Sequence, residues 1–263
     1  MEDWKPGGAN PETEGSTIQS IDTSFAVVTA LRERNGAGVT ELAEETGLSK
    51  SSVHKHLRSL VKHDFVVKEG NEYRIGLRYL DFGAHARAQI PASREITQKL
   101  RELASEAGES VQFAVEERGR AVVLYRDVSQ GGVYSRGRVG RRFYLHQTAA
   151  GKAILSRRSD QWIREILDRY GLPKTTPHTI GDEATLFEEL AEVRERGVAF
   201  NNEESTEGLR SVAVPVTGPD GDVLGAFAVA GPTHRLTDAR FETEIPNLLR
   251  SVVNELELNL AHS

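Results

Sequence analysis

The spacing of apolar positions changes period several times along the chain, and each change marks an element. Ile21, Phe25, Val28 and Leu31 recur at helical intervals and predict a first helix over residues 20–35, ended by Asn35-Gly36. The segment from Val39 to Val61 then predicts two short helices broken by a turn at Gly47. Thr40 is expected to cap the first, with Glu41 and Glu44 near the end of the helix dipole that favours negative charge. Ser49 is expected to cap the second. That second helix places Val53, Leu57, Leu60 and Val61 at i, i+4, i+7 and i+8, on one buried face. Phe65-Val-Val-Lys68 and Tyr73-Arg-Ile75 follow as two short strands around a turn at Gly70-Asn71. Two helices, a glycine turn and a hairpin in this order are the parts of a winged helix-turn-helix.

Residues 80–89, rich in alanine, predict a linker helix that ends at Pro91. Beyond it the pattern alternates as in an α+β domain. Helices are expected over residues 96–107, 148–156, 161–170, 182–196 and 237–260, the last kinked or interrupted at Pro246. Strands are expected over 111–115 and 121–125, around a hairpin turn at Glu117-Arg-Gly-Arg120, and over 198–202, 211–217 and 223–230. Gly218-Pro-Asp-Gly221 joins the last two, and residues 131–140 read as a Gly- and Arg-rich loop. The organisation expected is a disordered tail (1–15), the winged unit (16–79), a linker helix (80–91) and a larger domain (92–263).

Composition narrows the chemistry. With 263 residues, 38% hydrophobic and 27% charged, the chain has ample material for two cores. It has no apolar run of membrane-spanning length and no signal-peptide pattern, so a cytoplasmic protein is expected, without a membrane partner. Zero cysteines exclude disulfides, thiolate chemistry and Cys-based zinc sites. The acidic, lysine-poor composition is of the kind a salt-rich haloarchaeal cytoplasm favours.

A net charge of −6 does not speak against nucleic acid, because the footprint is local. Four of the chain's eight lysines, at 50, 55, 62 and 68, fall in the winged unit. The polar side of the second short helix offers Lys50, Ser51, Ser52, His54, Lys55, Arg58 and Lys62, nearly all hydrogen-bond donors. A helix apolar behind and basic in front suits a major groove, where phosphates set affinity and base edges set specificity. Arg74 on the hairpin is the expected phosphate contact of the wing. The bland alternative is a helical bundle with a merely solvated polar face; the ordered turn, lysine cluster and hairpin favour DNA.

Catalytic and metal signatures are missing. Gly151-Lys152 is preceded by His146-Gln147 and followed by Ala153, which is not a phosphate loop. There is no Gly-x-Ser-x-Gly elbow and no His-Glu-x-x-His. His54 and His56 lie two apart on different helix faces, which does not suit a shared metal, and Glu203-Glu204 reads as a solvated acidic loop. No catalytic residue, metal or cofactor is expected.

Three stretches carry a resemblance: the winged unit, Leu145-His-Gln-Thr-Ala-Ala-Gly-Lys-Ala-Ile-Leu155, and Gly208-Leu-Arg-Ser-Val-Ala-Val-Pro-Val216 running through to Val229-Ala-Gly-Pro232. Together they resemble the IclR-type transcription regulators of bacteria and archaea, over about Ile18 to Leu260. The resemblance implies an α+β protein: an N-terminal winged helix-turn-helix and a C-terminal GAF-like α/β domain for effector binding and oligomerisation. It further implies operator DNA bound by dimers or tetramers, and small organic acids or aromatics as effectors. By the same resemblance, backbone amides of Ala149 and Ala150 would hold the ligand's carboxylate, at a helix start where free N–H groups suit an anion. Asn201 aligns with a family acid, Ser211 with a polar residue, and Ala228 and Ala230 with serines of some members. Those two alanines disfavour a very small keto acid and favour a larger ligand, or one anchored from residues 131–142. The function expected is sequence-specific regulation of a catabolic operon by a small organic-acid or sugar-derived metabolite. The rival is a metabolite-processing enzyme with an accessory DNA-binding domain, disfavoured by the missing nucleophile–base pair.

Overall fold

The computed structural model describes residues 17–128 and 138–262, so the expected tail (1–15) and the part of the expected loop at 131–137 lie outside the described residues. Contacts divide the chain into two compact units between Ile90 and Pro91.

The first unit contains α1 (Gln19–Arg34), α2 (Val39–Thr46), α3 (Lys50–Lys62), the hairpin β1 (Val66–Glu69) and β2 (Glu72–Ile75), and α4 (Arg78–Ala88). Leu31, Leu42, Val53, Leu57, Val66 and Tyr73 meet in its core, with Leu60 and Val61 packed partly buried against them. Gly47 closes α2 at φ +69, a left-handed turn that sends the chain into α3. Ser49 caps α3 as expected, its Oγ accepting the Ser52 N–H at 3.2 Å. Thr40 does not cap α2. The helix begins at Val39, Gly38 is the last extended residue, and the Glu41 carboxylate reaches back to the Gly38 N–H at 2.8 Å. This is the back-bonding half of a capping box, with no side chain at Gly38 to supply the other half, and Thr40 lies inside the first turn. α4 starts earlier than alanine content suggested. Arg78 donates to the His63 carbonyl at 2.9 Å, and Phe65 stacks edge-on against Tyr79 at 4.8 Å, so the first turn of α4 is fastened to the winged core.

The second unit is one antiparallel sheet with helices on both faces. Its elements are α5 (Ser93–Ala107), β3 (Ser110–Glu117), β4 (Arg120–Val128), β5 (Arg142–Tyr144), α6 (Ala149–Leu155), α7 (Asp160–Tyr170), α8 (Glu183–Arg196), β6 (Ala199–Asn202), β7 (Leu209–Thr217), β8 (Val223–Pro232) and α9 (Ile245–Ala261). The sheet order is β5-β4-β3-β8-β7-β6. α5 and α9 pack on one face, around Phe113 and Phe227, whose rings stand 4.9 Å apart. α6 covers the other face, on a floor of Ala114, Ala213, Ala226 and Ala228. Gly151 lets α6 fold back against the turn that precedes it, since a Cβ there would sit 2.0 Å from the Leu145 carbonyl oxygen. The last helix is interrupted beside Pro246 as expected, though by a change of helix type and not by a loop. A π-helical turn over Arg240–Glu244 lies directly before Pro246, and regular α-helix resumes as α9 at Ile245, so the ladder changes register where the proline lacks its N–H.

Candidate nucleic-acid interface and effector face

α3 presents Lys50, Ser51, His54, Lys55, Arg58 and Lys62 to solvent, while Val53 and Leu57 are fully buried behind them. Ser52 is half-buried, held at the cap. Among the described residues no carboxylate pairs with Lys50, Lys55, Arg58 or Lys62, so this row of cations is uncompensated. The two histidines diverge: His56 Nδ1 lies 2.8 Å from Ser24 Oγ on α1, whereas His54 opens onto a cleft of about 380 Å³ with Val39, Glu41, Lys68 and Asn71. That cleft connects the start of α2, the front of α3 and the hairpin. Arg74 stands differently from the α3 cations. It is half exposed and lies 3.5 Å from Glu69 and 3.6 Å from Glu72, so two carboxylates of the hairpin already offset its charge.

The residues aligned with the family's effector site come together on the α6 face of the sheet. Asn201 is paired across the ladder with Ser211, Ser211 with Ala230, and Ala213 with Ala228. Directly paired residues of an antiparallel sheet share a face. All six positions (Ala149, Ala150, Asn201, Ser211, Ala228 and Ala230) are buried. Thr148 caps α6, its Oγ1 accepting the Gly151 N–H at 3.0 Å, and its carbonyl accepts the Lys152 N–H at 2.9 Å. The helix therefore leaves the amides of Ala149 and Ala150 without an acceptor of its own. Asn201 is committed to the protein: its Nδ2 donates to the Gln147 carbonyl at 2.6 Å, and its Oδ1 accepts the Glu204 N–H at 3.2 Å.

Glu204 overturns the expectation of a solvated acidic loop. It is buried, and both its carboxylate oxygens stand 2.8 Å from Lys152 Nζ, which is 1% exposed. Glu189 Oε1 approaches the same ammonium at 3.2 Å and is shared with Arg196 at 2.9 Å. Burial pushes the Glu204 carboxyl up, and the adjacent Lys152 charge opposes that rise. Glu203 turns away at φ +65 and accepts the Gly208 N–H at 2.7 Å. Next to this cluster His146 is 3% exposed, and its Nε2–H donates to the Pro173 carbonyl at 3.0 Å. Burial holds its pKa below the usual histidine value, assisted by the charges of Arg120 and Lys152. Sequence reasoning missed this buried charge cluster, although an acid pair and a lysine inside apolar helical and strand patterns was the available signal. Among the described residues no group of three or more His, Asp or Glu is placed to hold a metal, and no helix is long and apolar enough to cross a membrane.

Residues 86–257 match the family model described as bacterial transcriptional regulator IclR C-terminal, and residues 20–70 match that of the IclR helix-turn-helix domain. The chain is 31% identical to the probable HTH-type transcriptional regulator ArcR of Halobacterium salinarum, over 97% of this chain and 98% of that protein. It is also 31% identical to the HTH-type transcriptional regulator KdgR of Dickeya chrysanthemi, over 88% of this chain and 76% of that protein. A crystal structure of an IclR homolog from Microbacterium hydrocarbonoxydans, complexed with 4-hydroxybenzoate, superposes with a TM-score of 0.76 at 20% identity, covering 91% of this chain and 100% of that one.

Proposed function

The chain belongs to the IclR family of transcriptional regulators, non-enzymatic proteins with a helix-turn-helix DNA-binding domain and a C-terminal effector domain, and from that premise we propose how it works. It binds a specific operator in the cytoplasm and governs a catabolic operon in response to a small organic-acid or sugar-derived metabolite. The observation that carries this reading is the uncompensated row Lys50, Lys55, Arg58 and Lys62 on the front of a capped, well-buried α3. Residues 16–79 form the DNA-binding domain, 80–91 the linker, which holds all but the first two residues of α4, and 92–263 the effector-binding and oligomerisation domain.

Ser51, His54, Lys55 and Arg58 supply donors for base edges; Lys50, Lys62 and Arg74 neutralise phosphates, and Ser52 lends its N–H to the cap. On the effector face the amides of Ala149 and Ala150 hold an anionic group, Ser211 adds a hydroxyl, and Ala228 and Ala230 form the floor. Asn201 contributes by fixing the Gln147 backbone just ahead of those amides. A second copy is needed: α1 leaves Ile18, Ile21 and Phe25 at least half exposed on one side, a stripe that a partner's helix would cover. Effector binding shifts the population of dimer or tetramer geometries and so the spacing of two α3 helices.

Lys55→Ala and Arg58→Ala, assayed by operator titration and melting, test the reading. Each is expected to weaken operator binding with the melting temperature unchanged, and wild-type affinity should fall steeply with salt. Unaltered affinity in both variants refutes the assignment of this face.

A further inference from the structure

α4 is almost wholly solvated. None of its residues is buried, and only Tyr79 and Arg87 are even half-buried. Apolar packing along its length therefore does not fix its direction. The contacts that fasten it to the winged core gather instead at residues 78–82, with Arg78 at their centre. Arg78 Nη1 donates to the carbonyl of His63, the residue that closes α3, at 2.9 Å, and lies 3.6 Å from the Asp64 carboxylate. The same guanidinium stands 5.3 Å from the ring centre of Phe65 and 5.9 Å from that of Phe82. The two rings lean on each other at 5.3 Å, and Phe65 meets Tyr79 edge-on at 4.8 Å.

The receiving side of this joint is closely built. Asp64 adopts a left-handed φ of +62, and Gly76 donates its N–H to the Phe65 carbonyl at 2.8 Å, with no room for a Cβ against the Asp64 carbonyl. The turn out of α3 and the exit of β2 are thus pressed together where α4 begins. An exposed Arg–Asp pair alone would hold little, because solvent screens it. A cation on the carbonyl that ends a helix also meets the negative end of its dipole, and a guanidinium laid against aromatic rings adds a stack. Together these contacts join the end of the reading helix to the helix after which, at Pro91, the second unit begins.

We infer that Arg78 is a positioning residue for operator reading: it locks α3 and α4 into one body, so that a dimer accepts two half-sites only at a fixed separation and rotation. This rests on the paired reader proposed above. A joint free to swing would let each α3 follow a displaced half-site at little cost. A locked joint forces the DNA to twist or bend to meet both readers, and that deformation weakens binding. Arg78 acts here through α3 and needs no contact of its own with the DNA.

The test uses the full-length protein and four duplexes: the footprinted operator, copies with one and with two base pairs inserted at its dyad, and a single half-site. Each inserted base pair turns one half-site about 35° relative to the other. Wild type is expected to bind the two-pair insertion roughly tenfold or more weakly than the operator. In Arg78→Ala that penalty shrinks to about threefold or less, while affinity for the single half-site and the melting temperature stay as in wild type. Arg78→Lys, which keeps the charge without the flat fork, retains part of the penalty. A purely structural role would weaken all four duplexes alike and leave the penalty unchanged, and that result overturns the inference. Should Arg78→Ala not fold, Phe82→Leu decides, because Phe82 is 53% exposed and its loss takes only the outer ring from the joint. There the penalty is expected to fall severalfold, and a penalty as large as that of wild type overturns the inference. So does a wild type that protects two half-sites yet tolerates both insertions, which leaves the paired reader standing. A wild type that binds one half-site as a monomer overturns both.

Discussion

An ammonium held at 1% exposure must be neutralised where it sits, and Lys152 is neutralised by Glu204 and Glu189. Removing one partner of such a cluster strands the others. Lys152→Met should therefore destabilise the second unit by about 3–5 kcal/mol in denaturant titration, and adding Glu204→Gln should recover part of the loss. A Lys152→Met protein as stable as wild type would mean that the cluster is not buried in solution. His146 gives a pH signature. Its folded pKa lies below the unfolded value of 6.5, so below that value the unfolded chain binds the extra proton. The stability that neutral His146 contributes is full above pH 6.5 and declines as pH falls toward the folded pKa. His146→Gln keeps an N–H for the Pro173 carbonyl and removes the titration, so its melting temperature should change less than that of wild type between neutral pH and pH 5. Parallel profiles would place the sensitivity elsewhere. The two differed in legibility: Lys152 lies within the apolar run Ala149–Leu155, a signal of burial that went unused, whereas a histidine before a glutamine carries no period and only the fold shows His146 buried.

Elements differed in legibility for physical reasons. α3 could be read from Ser49 to Lys62 because cap, apolar spacing and basic face agree, and agreement between independent signals is what makes a local sequence specify one structure. The hairpin at residues 118–119, where Arg118 and Gly119 both adopt positive φ, was equally plain from its Arg-Gly pair between alternating strands. β5 was not foreseen. It has three residues, all half-buried, and three residues cannot display an alternation. The start of α2 was misread by position, since a threonine and a glutamate each signal a cap and only the backbone says which one is used. The α6 face was reached through family alignment, not through periodicity. Its floor is built from alanines, which read equally well as helix or strand, and its register is set by non-local pairing.

At the level of the whole molecule, the decisive quantity is how much DNA one chain can read. A single α3 presents four cations and a few polar donors, enough for phosphate affinity and a handful of base edges. Each matched base pair is worth only about 1–3 kcal/mol, and a genome offers a vast excess of competing sites. One reader of this size is not selective by itself. Two-fold symmetry doubles the reader without new chemistry, and it requires an inverted-repeat operator with half-sites separated by whole helical turns. The apolar stripe Ile18, Ile21 and Phe25 on α1 gives the DNA-binding unit a surface on which that symmetry can be built. Footprinting on the operator is therefore expected to show two protected half-sites related by a dyad, and sedimentation to show at least a dimer at footprinting concentrations. Phe25→Glu places a charge in the middle of the stripe, and should weaken operator binding through loss of the paired reader while a single half-site fragment is bound as before. If Phe25→Glu binds the full operator normally, or if the wild type protects one unrepeated half-site as a monomer, the symmetric reader is wrong and specificity must come from contacts outside α3.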